Sequence, residues 1–172
     1  MEADNAINQT KLKFQSFLLT LNYDIATMAR MVDISAKPVI MREATAEGSI
    51  ILKKETIDAI RGKRIEKGDV VEVSRLAGIM AAKRTSEIIP LCHNIPIESV
   101  DVDISETDTG MKVTCRVVGE AKTGVEMEAL TATSAALLSI WDMVKKYEKD
   151  ADGQYPSTKI TEIRVTRKVK MR

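Results

Sequence analysis

Lysine, histidine and carboxylate side chains stand in two stretches of otherwise apolar sequence. Lys67 precedes a glycine at the predicted start of a helix, and His93, the single histidine of the 172 residues, follows the apolar run 88–92. Glu126 and Glu128 lie two residues apart in the second stretch. Amines, imidazoles and carboxylates in apolar surroundings exchange protons readily near neutral pH. These residue types indicate acid–base chemistry on a small polyanionic substrate.

Each of these residues also has an ordinary structural explanation. Lys67 can be a solvated loop residue, and His93 can be a core histidine whose nitrogens are satisfied internally. Glu126 and Glu128 would point at one site if their stretch is extended, but they would diverge by about 200° in a helix. In a helix they would be solvated acids that favour the dipole of the first turn. The residue types alone leave both explanations open.

Charged residues on two predicted helices form a second group of candidates. Asp142 and Lys145 are three residues apart and therefore share a helix face. The ordinary explanation is a surface ion pair worth about 0–1 kcal/mol, and the alternative is a catalytic pair. Lys83 and Arg84 end an earlier helix, where they either complement its dipole or contact phosphate. Both roles are compatible with their position.

Alternation and helical spacing define the elements that would position these groups. In chain order they are a strand (49–53), a short helix (55–60), a helix capped by Asp69, a hairpin of two strands (100–104 and 111–117), a long helix (127–144) and a last strand (161–169). Val73, Leu76 and Met80 give the second helix its period, and Glu72 stands in the position of a capping box. This order predicts an α+β fold of the ferredoxin-like, split βαβ type. Its antiparallel sheet carries helices on one face, and the uncovered face favours oligomerisation.

The composition is typical of one globular domain with an aliphatic core. Apolar residues make up 44% of the chain and aromatic residues 3%. A net charge of +1 argues against bulk binding to nucleic acid, and the scarce aromatics leave no stacking platform. No apolar run reaches the roughly 18 residues of a membrane span, and we see no signal-peptide organisation. We therefore expect a cytoplasmic protein that binds neither membrane nor nucleic acid.

The two ends of the chain differ from its centre. Residues 1–30 hold an apolar cluster without a clear partner pattern, so we interpret them as an N-terminal extension of a domain that spans 31–172. The segment from Lys159 to Arg172 carries six basic residues and one acid, Glu162. It is predicted as either a solvated edge strand or a rim that faces phosphate.

Five long stretches resemble the MoaC family, the cyclic pyranopterin monophosphate synthases of molybdenum cofactor biosynthesis. They are residues 31–37, 67–70, 77–85, 89–93 and 123–132, in the order of the family. The resemblance runs from about Met31 to Val169. It implies a ferredoxin-like subunit in a homohexamer, a trimer of dimers, with active sites between subunits. It also implies that residues 31–172 form the catalytic domain.

The resemblance also implies a reaction and a set of residues. The substrate is 3′,8-cyclo-7,8-dihydroguanosine 5′-triphosphate, made by a radical SAM GTP cyclase, and the products are cyclic pyranopterin monophosphate and pyrophosphate. Lys67, Asp142 and Lys145 match catalytic positions, and Arg42 matches an arginine from a neighbouring subunit. The substrate-binding candidates are Lys83, Arg84, Leu91, Cys92, His93, Glu126, Met127 and Glu128. The N–H donors of a guanine edge suit carboxylates.

Two departures from the family and one competing function accompany this resemblance. Asn94 stands where the family often has proline, and the glycine- and lysine-rich C-terminal motif of many members is missing. The reaction needs no redox cofactor, and the sequence offers no metal cage, so magnesium would enter only with the substrate triphosphate. The competing function is a non-catalytic, ferredoxin-like oligomeric module that binds a nucleotide as a regulator.

Overall fold

The computed structural model describes residues 11–13, 16 and 29–171. Residues 11–13 and 16 are helical. The chain divides after Val32 into two units, and the second unit, from Asp33 onward, contains every element discussed below. The predicted N-terminal extension, residues 1–30, falls largely outside the described residues, so its role stays a prediction.

The second unit has the α+β architecture expected from the order of its elements. They are β1 (Ile40–Ile51), α1 (Lys54–Arg61), α2 (Val70–Lys83), α3 (Thr85–Ile88), β2 (Ile97–Thr107), β3 (Gly110–Ala121), α4 (Glu126–Glu148) and β4 (Lys159–Lys170). The strands form one antiparallel sheet in the order β2-β3-β1-β4. Strands β1 and β2 are thus parallel with β3 between them, as in a split βαβ unit. Helix α4 packs on β1 and β3, and α2 packs on β2 and α4. The predicted ferredoxin-like fold is confirmed.

Strand β1 departs most from the predicted elements. The sequence predicts a strand only at 49–53, whereas β1 spans Ile40–Ile51 and α1 already begins at Lys54. Its buried positions include Ala44, Ala46 and Gly48, and small residues give little hydrophobic alternation to recognise. They are small because α4 lies directly above them: a Cβ on Gly48 would stand 2.8 Å from Cδ1 of Leu137.

The start of helix α2 is fixed by Asp69, as predicted. Its carboxylate accepts hydrogen bonds from the backbone N–H groups of Val71 and Glu72, which satisfies two donors of the first turn. Glu72 forms an ion pair with Arg75 instead of completing a capping box. The cap determines where the loop that carries Lys67 passes into the helix.

Helix α2 exposes the apolar stripe that defines its sequence period. Val73, Leu76 and Met80 are 44%, 59% and 52% exposed. The buried residues are Val70, Ser74, Gly78, Ala81 and Ala82. These are mostly small because α4 approaches closely: a Cβ on Gly78 would lie 3.2 Å from the carbonyl oxygen of Ala132. The outer face of α2 is therefore apolar and has no cover within the described part of this chain.

The sheet face opposite the helices carries ion pairs between neighbouring strands. Glu43, only 3% exposed, lies 2.5 Å from Arg116 and 2.6 Å from Arg167. The hydrogen bond from Arg116 is the main reason that the pKa of Glu43 lies below its usual value, although burial alone would raise it. Glu47 pairs with Lys112 and Arg164 in the same way. The charges of Glu43 and Glu47 on this sheet face are therefore neutralised within the chain, and the predicted role of the face in oligomerisation stays a prediction.

Candidate active site

Lys67, Asp142 and Lys145 meet on the C-terminal half of α4. The Lys67 Nζ lies 2.6 Å from Oδ2 of Asp142 and 2.8 Å from its carbonyl oxygen. The Lys145 Nζ lies 2.7 Å from Oδ1 of the same carboxylate. We call these three residues the lysine–aspartate cluster. Their side chains are about half exposed, between 46% and 58%, so the cluster is open to a substrate. The three residues predicted to be catalytic are thus brought together.

The cluster is polarised by its own hydrogen bonds. Donation from Lys145 and then from Lys67 lowers the pKa of Asp142 to about 2. The carboxylate raises the pKa of Lys145 in return. Near neutral pH, Asp142 is therefore ionised and accepts hydrogen bonds from two amino groups. Asp142 acts here as an acceptor that orients the amines, and the amines present donors to a developing negative charge.

Buried anchors position the two segments that carry the cluster. Ile65 is 5% exposed and holds the Lys67 loop to the core. Gly68 then turns the chain with a φ of +104°, a conformation that favours glycine. At the other end, Glu148 is fully buried and accepts hydrogen bonds from the N–H of Lys53 and the hydroxyl of Thr158. This clamp fixes the end of α4 one to two turns beyond Asp142.

A basic cavity of about 620 Å³ lies at the opposite, N-terminal end of α4. We call it the amino-terminal cavity. Its charged lining consists of Lys37, Arg42, Lys122, Glu126, Lys168 and Lys170. Five cations against one carboxylate give the cavity a positive charge that would favour an anion with several charges. Of this set, only Arg42 and Glu126 were predicted as site residues from the sequence. Lys168 and Lys170 lie in the basic C-terminal segment and Lys37 in the first stretch that resembles the MoaC family, whereas no sequence signal pointed to Lys122.

Arg42 is held within its own subunit. Its Nε donates to the carbonyl oxygen of Ala121 at 3.0 Å, and its Nη2 donates to that of Lys122 at 3.2 Å. The residue is 8% exposed. The guanidinium thus supports the end of β3 while it lines the amino-terminal cavity. Its contribution to the site of a neighbouring subunit stays a prediction.

Glu126 and Glu128 do not share the extended segment that would point both at one site. Helix α4 begins at Glu126, so the two side chains leave in different directions. Burial raises the pKa of Glu126, but its pair with Lys168 outweighs this and the pKa lies below its usual value. Glu128 is 3% exposed, and its Oε2 is buried without a hydrogen-bond partner among the described residues. Burial, reinforced by Glu126, raises its pKa. A buried acceptor of this kind suits an N–H group of a ligand.

The segment after α3 brings the remaining predicted residues to the same end of α4. Cys92 lies close enough to Glu128 that burial, with this carboxylate, raises the thiol pKa. His93 is half-buried and lines a second cavity of about 380 Å³, which shares Lys122 with the amino-terminal cavity. Leu91 and Met127 are exposed. Lys83 and Arg84 are exposed at the end of α2, without a described contact that decides between their two predicted roles.

Within a single chain, the lysine–aspartate cluster and the predicted residues at the N-terminal end of α4 are too far apart to act on one reacting ring. Glu126 and Asp142 are sixteen residues apart on α4, about 24 Å at the helical rise. Groups that exchange protons with the same ring must lie within about 3 Å of the atoms they serve. A site that uses both groups therefore needs a second copy of the chain.

We expect Glu128→Gln to stabilise the protein only at the higher pH. The folded-state pKa of Glu128 is raised above its usual 4.5, so stability present below that value is lost as pH rises through the folded-state pKa. The melting temperature of the variant should equal that of the wild type at pH 4 and lie about 2–4 °C above it at pH 8. Such a shift corresponds to about 1 kcal/mol in the free energy of unfolding.

The control for this measurement is Glu126→Gln. The folded-state pKa of Glu126 is lowered, so its charge stabilises the protein above pH 4.5 and that stability is lost as pH falls. Glu126→Gln should therefore melt below the wild type at pH 8. Thermal melts at both pH values test the pair. A Glu128→Gln melting difference that does not change with pH would show that this carboxyl is not a buried, uncompensated charge.

The fold and the two groups of charged side chains together define a ferredoxin-like protein with an exposed lysine–aspartate cluster and a basic cavity. The MoaC family profile matches residues 31–170. The chain is 60% identical over 144 residues to the "Probable cyclic pyranopterin monophosphate synthase" of Sulfurisphaera tokodaii, covering 84% of this chain and 95% of the relative. The relative of the same name from Thermococcus kodakarensis is 52% identical over 141 residues, covering 82% and 90%.

A third relative carries a slightly different name. The "Probable cyclic pyranopterin monophosphate synthase accessory protein" of Methanothermobacter thermautotrophicus is 55% identical over 142 residues, covering 83% of this chain and 89% of the relative. This chain belongs to the MoaC family. Among residues 11–13, 16 and 29–171, no helix has both the length and the apolar content that a membrane span requires.

Proposed function

We propose that this protein is a cyclic pyranopterin monophosphate synthase of molybdenum cofactor biosynthesis. It converts 3′,8-cyclo-7,8-dihydroguanosine 5′-triphosphate to cyclic pyranopterin monophosphate and pyrophosphate. The observation that carries the proposal is the lysine–aspartate cluster: two amines on one carboxylate, at 2.6 and 2.7 Å, in a member of the MoaC family. A radical SAM GTP cyclase supplies the substrate.

The reaction consists of proton transfers and one phosphoryl transfer. The purine-derived ring opens and recloses as a pterin, so protons must leave and rejoin its nitrogen and carbon atoms. In the phosphoryl transfer, a sugar hydroxyl oxygen bonds to the α-phosphorus and the bond to the bridging oxygen of pyrophosphate breaks. The hydroxyl proton passes to a base. These steps suit positioned amines, carboxylates and an imidazole.

Lys67 and Lys145 are the groups that act on the reacting ring. Asp142 orients both amines, and the amines donate hydrogen bonds or protons where negative charge develops. Because Asp142 is ionised at neutral pH, it accepts hydrogen bonds from both amines and does not itself donate a proton. Magnesium would accompany the substrate triphosphate.

The amino-terminal cavity binds the rest of the substrate. Its five cations suit the triphosphate, whose oxygens accept charge-assisted hydrogen bonds from lysine and arginine. Lys168 and Lys170 of β4, which line the cavity, act as phosphate ligands. Glu128, whose buried Oε2 has no hydrogen-bond partner among the described residues, binds an N–H group of the guanine-derived ring beside Cys92 and His93. Glu126, which leaves α4 in a different direction, approaches the same ring from another side. Replacement of Lys168 and Lys170 together should weaken the affinity for the substrate more than it lowers the turnover rate of the bound substrate.

The active enzyme is an oligomer in which one copy supplies the cluster and another supplies the amino-terminal cavity. The separation of about 24 Å within one chain supports this arrangement, because groups that act on one ring must lie closer together. The exposed stripe of Val73, Leu76 and Met80 on α2 provides an apolar surface for the contact. A homohexamer built as a trimer of dimers satisfies the requirement with closed symmetry.

Turnover distinguishes the synthase from a regulatory nucleotide-binding module. Purified protein is incubated with the cyclised nucleotide, and pyrophosphate and the oxidised, fluorescent pterin are measured. The synthase releases one pyrophosphate for each pterin formed and leaves GTP, the uncyclised control, unchanged. Tight binding of the cyclised nucleotide without either product would support the regulatory module and overturn the proposed activity.

Mixing two inactive variants tests the shared site. We expect Lys67→Ala and Glu126→Ala to be inactive alone and to regain about a quarter of wild-type activity after dissociation, mixing and reassembly. Random pairing makes half of the two-chain units mixed, and one of the two symmetric sites in each mixed unit holds both intact residues. Glu126 is preferred to Arg42, whose hydrogen bonds hold the end of β3. No recovery after confirmed subunit exchange, or a monomer by light scattering, would contradict a shared site.

A further inference from the structure

The loop that carries Lys67 is tied to α4 by a second residue besides Asp142. The backbone N–H of Glu66 donates a hydrogen bond to the hydroxyl oxygen of Tyr147 at 3.0 Å. Tyr147 is half-buried, and its ring packs against the central hydrophobic core. A tyrosine ring held in this way places its hydroxyl with little freedom, since it has only two side-chain torsions. The Tyr147 hydroxyl is thus a fixed acceptor for the backbone N–H of Glu66, the residue that precedes Lys67.

The neighbours of Tyr147 show that this end of α4 is itself immobilised. The Nζ of Lys53 donates to the carbonyl oxygens of Tyr147 at 3.3 Å and Lys149 at 2.9 Å. Glu148, between them, is the buried clamp described above. The last turn of α4 is therefore a rigid support, and the Tyr147 hydroxyl extends that rigidity to the Lys67 loop.

Lys67 needs such a support because its loop is otherwise a turn on the surface. Gly68 closes the turn by donating to the carbonyl oxygen of Ile65 at 3.0 Å, and Glu66 itself is exposed. The side chain of Glu66 pairs with Lys146 at 2.5 Å, but both side chains are about 70% exposed, and such pairs constrain weakly. A backbone hydrogen bond to a half-buried acceptor constrains the position of the Lys67 Cα more directly.

We propose that Tyr147 is a positioning residue for the reaction: its hydroxyl fixes the backbone at Glu66 and thereby sets the Lys67 amine against Asp142 and the substrate. This inference rests on the proposed function of the Lys67 cluster. Displacement of a catalytic group by about 1 Å can reduce a rate by about 10²-fold. Loss of one tether among several should cost less than that.

The test removes the hydroxyl alone, as Tyr147→Phe. We expect kcat to fall about tenfold with KM within about twofold, because the substrate contacts stay and only the alignment of Lys67 is lost. Hydrogen exchange at the Glu66 amide should accelerate at least about tenfold in the variant. The melting temperature should stay within about 4 °C of the wild type, as for loss of one solvent-accessible hydrogen bond.

The matched control is Glu66→Gln, which removes the side-chain pair with Lys146 and keeps the backbone N–H donor. Its kcat should stay within about twofold of the wild type. A Tyr147→Phe enzyme with wild-type kcat would overturn the proposal, and so would a loss of kcat without faster exchange at Glu66. An inactive wild type would instead count against the proposed function, and the exchange measurement would still show whether the tether exists.

Discussion

Replacement of Lys67 by alanine should abolish turnover and leave the fold unchanged. The amine is the part of the cluster that reaches Asp142 from outside α4, so its removal takes a proton donor and a positive charge from the reacting ring. General acid–base groups contribute about 10²–10⁴-fold to rates, and we expect a loss of at least about 10³-fold. The side chain is 46% exposed, and Ile65 and Gly68 hold the loop without it. Circular dichroism and the melting curve should therefore match those of the wild type.

Two further variants make this result specific to the amine. Lys63→Ala removes another loop lysine, which is 80% exposed and pairs with Asp69 at 3.5 Å, and it should retain its rate. Lys67→Arg keeps the positive charge but places a guanidinium that does not exchange its proton near neutral pH, so it should stay inactive. Near-normal pyrophosphate release by Lys67→Ala would remove this residue from the mechanism.

Replacement of Asp142 by asparagine should lower turnover by at least about 10²-fold, the lower end for acid–base catalysis. The substitution is nearly isosteric, but it replaces one acceptor oxygen with an NH₂ donor. The amide of the variant therefore cannot accept hydrogen bonds from both Lys67 and Lys145 in the geometry of the wild type. Because the side chain is 58% exposed, its ion pairs add little to stability. The melting temperature should move by only a few degrees, and the substrate should still bind. Single-turnover kinetics and a thermal melt measure the two effects separately.

The chain contains a matched ion pair for this experiment. Asp58 and Arg61 have the same three-residue spacing on α1, a distance of 2.7 Å and similar exposure. Asp58→Asn therefore weakens a similar helical ion pair that does not involve the cluster residues, and it should keep the wild-type rate. If Asp142→Asn keeps its rate and loses only stability, Asp142 and Lys145 form an ordinary surface ion pair and do not carry the chemistry.

Local sequence signals predicted the elements whose pattern is strong. The hairpin of β2 and β3 alternates over 100–104 and 111–117, α2 begins after its capping residue Asp69, and the same face of α4 holds Asp142 and Lys145. Strand β1 was incompletely predicted because its buried residues include Ala44, Ala46 and Gly48, and the close approach of α4 leaves no room for a larger side chain at Gly48. The start of α4 determined the directions of Glu126 and Glu128, and the sequence left that point open between an extended and a helical form.

The contacts that build the site lie beyond any local pattern. Lys67 and Asp142 are 75 residues apart in the chain, so only the resemblance to the MoaC family placed them together. Lys168 pairs with Glu126 from β4, and the basic C-terminal segment was predicted as either a solvated edge strand or a rim that faces phosphate. The structure shows that β4 is an edge strand and that two of its lysines line the amino-terminal cavity; their contact with phosphate stays a prediction. The tether from Tyr147 to Glu66 likewise depends on packing and has no sequence signature.

The crystal structure of Lys67→Ala with the cyclised nucleotide bound tests the central claim most directly, because this variant should bind the substrate without consuming it. The account predicts a reacting ring within about 3.5 Å of the Asp142 carboxylate and the Lys145 amine, at near-attack distance. It also predicts that Glu126 and Glu128 next to the same ring, and the cations around its triphosphate, belong to a second copy of the chain. A ring bound away from Asp142 and Lys145, or enclosed by residues of one chain alone, would contradict it.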